Sequence, residues 1–83
     1  MRAADILPDE QSHAIFNGVS VRKGTVAAFV ANARVLADTN ASAGQRQQAE
    51  QDILADLPAL RSLGLFEVFQ LRDAAVNAWI EAH

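Results

Sequence analysis

From Val26 onward the apolar positions fall into a helical rhythm. Val26, Phe29, Val30, Ala33, Leu36 and Ala37 follow the i, i+3, i+4, i+7 spacing of one helix face. This predicts a helix that opens at Gly24-Thr25 and runs to about Asp38. Thr25 is expected to cap the free N–H groups of its first turn. The face should be the centre of the core. Ala28, Ala31 and Val35 make the opposite side apolar as well, and a helix apolar nearly all round is normally covered nearly all round.

Before that helix the period shortens. Asn17-Gly18 lies between His13-Ala14-Ile15-Phe16 and Val19-Ser20-Val21-Arg22. Asn-Gly suits a type I′ turn, which needs positive φ at both central residues, so residues 13–23 read as a hairpin. A helix from Pro8 to Phe16 closed by Gly18 is the alternative. Residues 1–12 show no clear period and are expected to be loosely ordered.

After a polar linker from Thr39 to Gly44, a second helix is expected from about Gln45. Its stripe is Ala49, Ile53 and Leu57, widened by Leu54, and its polar first turns place it on the surface. Pro58 is expected to interrupt it, so that Asp56 or Leu57 ends one helix and a short new one begins. Leu60 and Leu63 then point inward, and Gly64 fits the left-handed position past a helix end. Leu65 to Phe69 reads as a helical turn, with a short strand as the alternative. Asp73 suits the N-cap of a last helix whose stripe is Val76, Trp79 and Ile80.

Composition narrows the class. The chain has 83 residues, which points to one domain spanning 1–83. A chain of this size buries only about 60–65% of the surface its unfolded form exposes, so its core is small. Apolar residues are 51% and charged residues 20%, too apolar for disorder. No cysteine is present, which removes disulfides and thiolate zinc sites. No apolar run approaches the roughly 18 residues needed to cross a bilayer. Residues 1–7 lack the hydrophobic block of a secretory signal, so the expected location is the cytoplasm. The net charge is −3 and the seven cations are scattered, which argues against a phosphate-tracking surface and hence against nucleic acid.

Candidate chemistry is sparse. Arg22, Lys23, Gly24 and Thr25 place two cations at a helix start, where free N–H groups favour anions. This makes a small-anion or phosphorylated-ligand site conceivable, beside the plainer reading of a loop glycine and two solvated cations. The phosphate-loop pattern itself is absent, because Val19 stands where its first glycine would be and Lys23 precedes Gly24. His13 and His83 are the only histidines, too few for a metal site without thiolates. Asp52 and Asp56 share a helix face at i, i+4, while Glu50 lies opposite Asp56; none forms an evident catalytic pair. No serine sits in a nucleophile motif, and Ser12 beside His13 makes no triad. The expectation is therefore no enzyme and no cofactor. Asn32, among apolar residues, could pair across a two-fold axis. With Ala28, Ala31 and Val35 it forms the expected interface. The aromatic residues Phe16, Phe29, Phe66, Phe69 and Trp79 read most simply as core.

Two stretches carry a resemblance. One is Val21-Arg22-Lys23-Gly24-Thr25-Val26-Ala27-Ala28 with Asn32. The other is Leu57-Pro58-Ala59-Leu60 running into Leu63-Gly64-Leu65-Phe66-Glu67-Val68-Phe69. Together they resemble small bacterial proteins grouped as a family of unknown function, over about a quarter of the chain. The family shows an acidic residue and a tryptophan soon after the second stretch, where this chain has Gln70-Leu71-Arg72-Asp73. The resemblance implies a bacterial source and a compact standalone domain, and it supplies no catalytic or binding residues.

The expected architecture is mainly α: a short N-terminal β-hairpin, then a compact bundle of three or four helices around the Thr25–Asp38 helix. The expected function is a protein-interaction or structural module acting as a homodimer, with an unidentified protein partner also compatible. Anion binding at Gly24-Thr25 and a small nucleic-acid-binding regulator are the alternatives.

Overall fold

In the computed structural model, residues 13–16, 18–22 and 24–83 are described. The expectations for residues 1–12, for Asn17 and for Lys23 lie outside the described residues. The chain is mainly helical. Two short strands, β1 (His13–Phe16) and β2 (Val19–Arg22), pair antiparallel with His13 opposite Arg22 and Phe16 opposite Val19. Val21 is buried while Ile15 is exposed, the alternation expected of a ladder with one covered face. Four helices follow among the described residues: α1 (Thr25–Ala37), α2 (Ala43–Ser62), α3 (Leu65–Val68) and α4 (Ala74–Glu81).

The start of α1 differs from the sequence expectation. Gly24, not Thr25, is the N-cap, at φ 92° and with no side-chain cap. Thr25 is already inside the helix and buried. Its hydroxyl donates to the Arg22 carbonyl at 2.7 Å instead of accepting from the first turn. A left-handed cap residue costs least at glycine, so the backbone turns at Gly24 and carries Thr25 inward.

The interior of α1 is rotated from the expected face. Thr25, Phe29 and Leu36 are buried and Asn32 is half-buried, a line at i, i+4, i+7, i+11. The neighbouring row of Val26, Val30 and Ala37 is exposed, and Ala33 lies half-buried between them. Two parallel apolar rows stand side by side on this helix, and periodicity alone merges them into one face.

The hub of the core is α2 as much as α1. Ala49, Ile53, Leu57 and Leu60 are all buried, and Ile53 and Leu60 are fully so. The expected stripe of Ala49, Ile53 and Leu57 runs on to Leu60 and lies in the core, so the helix is not the surface element its polar first turns suggest. α2 packs against α1, β2 and α3, while α4 packs against α1. Leu54 stays exposed and does not widen the stripe.

The start of α2 is set by Ser42. Its hydroxyl accepts from the Gln45 amide at 3.1 Å, and the Gln45 side chain accepts from the Ser42 amide at 2.9 Å. This reciprocal pair satisfies two otherwise orphaned donors and moves the start ahead of Gln45 to Ala43. Nor does the helix stop at Pro58. It continues to Ser62 with the proline inside. Pro58 is on the exposed side, where water can serve the Leu54 carbonyl that loses its amide partner. Leu57 and Leu60, buried on either side of it, hold the helix together.

The remaining elements match their signals. Gly64 takes φ 81° after α2, α3 is a single helical turn, and the Asp73 carboxylate accepts from the Val76 amide at 3.0 Å to cap α4. Val76 and Ile80 are buried and Trp79 is half-buried. No helix among the described residues is long and apolar enough to cross a membrane.

Candidate interaction surface

Beside α1 runs an open apolar groove. Its wall on one side is the outer row of the helix, Val26 and Val30 with Phe29 behind them. The other wall is α3 and the extended segment after it, through Phe66, Phe69 and Leu71. Val30 is 50% exposed and Phe69 is 64% exposed. The floor is fixed by an edge-to-face pair, Phe29 and Phe66, whose ring centres lie 5.7 Å apart.

Backbone geometry explains why Phe69 is left outside. α3 ends when Phe69 turns to an extended conformation, its amide still donating to the Leu65 carbonyl at 2.9 Å. The chain then runs across to α4, and the Leu71 amide donates to the Asn77 side chain at 2.9 Å. Asn77 in turn donates to Glu81 at 3.1 Å. Phe69 is already in extended backbone beyond the last turn of α3, so it does not follow Phe66 along the helix face. Phe66 takes the core side.

The groove continues along α1 past Val30 and Leu71 to Ala33, Ala37 and Val76, where Arg34 and Arg72 border it. Val30, Phe29 and Leu71 belong to both halves, so the surface is continuous. Its opening of about 280 Å³ at the Phe69 half is at the lower edge of small-ligand sites. Such sites also place a few convergent polar groups, and this half has only Gln70.

The residues singled out from sequence divide. Ala28 and Ala31 are exposed, whereas Asn32 and Val35 are half-buried toward the start of α2 beside Ala49. Val35 packs against the core. The four do not form one outward face, because the inner line of α1 runs through Asn32. The exposed apolar row is Val26 and Val30, which helical periodicity alone assigns to the core. The signal for them was the width of the apolar arc, too broad for one neighbour to cover.

At the Gly24 corner, Arg22 is exposed and its carbonyl is taken by Thr25. The Thr25 hydroxyl is therefore committed to the backbone. His83 lies against Trp79, ring centres 4.5 Å apart, with Nδ1 2.6 Å from the Trp79 carbonyl. Among the described residues no group of three or more His, Cys, Asp or Glu side chains could hold a metal ion. Asp52 accepts from the Gln48 side-chain Nε2 at 3.0 Å, and beside it Asp56 is half-buried. Burial, and then the Asp52 charge, push the Asp56 carboxyl above its ordinary range.

Comparison with family models, with curated proteins and with solved structures gives no match.

Proposed function

We propose that this chain is a protein-interaction module of a bacterial cytoplasm that acts as a homodimer, joined through the groove beside α1. The observation that carries the reading is Val30, half-exposed at the middle of a continuous apolar surface that also presents Val26 and Phe69. Contiguous apolar surface rimmed by polar residues is the usual mark of an interaction site. A domain this small gains core most readily by pairing with another copy. In this reading β1 and β2 close as a hairpin, with Val21 anchoring it.

Anion binding at the helix start has less support. The Thr25 hydroxyl is spent on the Arg22 carbonyl, which leaves backbone amides and an exposed Arg22. Nucleic-acid binding has less again, since the exposed cations are dispersed over an acidic chain.

Light scattering on the purified protein at tens of micromolar tests the reading. The expected mass is twice 8.9 kDa. Val30→Asp should give the monomer mass with unchanged helical circular dichroism, because the site is on the surface. A wild-type protein that stays monomeric would overturn it.

A further inference from the structure

Phe66 and Phe69 also line a second cleft, whose other side chains include Arg61 from the end of α2 and Asn77, Ile80 and Glu81 from α4. Ile80 is buried and gives it an apolar floor. Arg61 and Glu81 are exposed and bring opposite charges to it. Among the described residues no ion pair joins them. The cleft holds about 220 Å³. That is below the roughly 300 Å³ at which sites for drug-sized ligands begin, so it suits a smaller molecule.

Each charge is held in place by other groups. The Arg61 guanidinium donates to the Ile80 and His83 carbonyls at 3.5 and 3.4 Å, long contacts at the end of α4. Its other N–H donors stay open, and their fork matches a carboxylate. Glu81 Oε1 accepts from Asn77 Nδ2 at 3.1 Å, and Asn77 Oδ1 accepts from the Leu71 amide at 2.9 Å. Asn77 is thus tied to the main chain and aims the Glu81 carboxylate. The second carboxylate oxygen, Oε2, has no partner among the described residues. Opposite charges that share one cleft without meeting leave room for a ligand that carries both. We propose that this cleft binds a free amino acid with an apolar side chain. Its carboxylate lies on Arg61, its ammonium on Glu81 and its side chain against Phe66 and Phe69. This site stands independently of self-association through the groove.

Titration with L-leucine, followed by amide chemical shifts of the labelled full chain, tests it. Leucinamide lacks the carboxylate, and N-acetyl-leucine lacks the ammonium. Saturable binding of leucine is expected, with both analogues about tenfold or more weaker. Arg61→Gln should remove the preference for leucine over leucinamide and keep the preference over N-acetyl-leucine. Glu81→Gln should do the reverse. Both positions are exposed, and circular dichroism checks that each variant is folded. A variant that merely disturbs the end of α4 would weaken all three ligands alike and keep both preferences, which would overturn the assignment. So would equal binding of the three ligands by the wild type, or no saturable shift up to about 10 mM leucine, a concentration above the weakest useful affinities.

Discussion

Asp56 stands one turn after Asp52 on α2, half-buried and with a like charge as its neighbour. The folded chain therefore holds its carboxylate at a disadvantage, and its pKa lies above the ordinary 3.8. The folded state keeps this proton to higher pH than the unfolded state does. Stability from this group is then greatest below 3.8 and declines as pH rises through the folded value. Asp56→Asn should accordingly raise the urea midpoint at pH 7. The difference from wild type should close as pH falls below about 3.8. Partial exposure lets water screen the charge, so the gain is small. Other single positions differ in how plainly the chain declares them. Asp73 and Gly64 were legible because each has a side chain, or lacks one, suited to a single cap geometry. Ser42-Ala43-Gly44-Gln45 carried the equally legible capping-box spacing, but it sat inside a stretch that looked like a linker. Thr25 was misplaced because a threonine before an apolar run suits a cap and an inward first-turn position alike; the glycine ahead of it decides.

At the scale of elements, Pro58 gives the clearest test. It lies inside α2 on the exposed side, leaving the Leu54 carbonyl without its helical donor. Pro58→Ala restores that donor and removes the ring clash, at the loss of some restraint on the unfolded chain. The net expectation is a gain of about 2 kcal/mol, read from the urea midpoint. The stripe Ala49, Ile53, Leu57 was visible in the sequence. Its continuation to Leu60 was masked by the proline, because tertiary burial on both sides of an exposed proline overrides local propensity. The rotation of α1 was hidden for a different reason. Two adjacent apolar rows satisfy the same spacing, and only the neighbours α2 and α4 choose between them.

For the whole molecule, what was legible was a helical chain with one more apolar row than its own core could cover. Which row remained outside was not, since that depends on where α3 and the segment from Phe69 to Leu71 come to lie. If a second copy covers Val26, Val30 and Phe69, folding and association are linked. The apparent melting temperature should then rise with protein concentration, while that of Val30→Asp should not. Calorimetry over a hundredfold dilution series reads this directly.

The corner between α1 and α2 has a different consequence. Arg46, one turn into α2, donates to the Leu36 carbonyl at 3.0 Å and also to the Asp38 carbonyl. Asn40 donates its amide to the Asp38 carboxylate at 2.9 Å, and the Ala41 amide reaches the Asp38 carbonyl at 3.2 Å. Exposed loops of small polar residues are where proteases usually nick a chain. Here two carbonyls at the loop's entry, those of Leu36 and Asp38, are already held by the guanidinium of the next helix. Drawing the chain at Leu36 or Asp38 into a protease cleft therefore means breaking the Arg46 contacts between α1 and α2, so the entry to this loop is tied to the packing of the two longest helices.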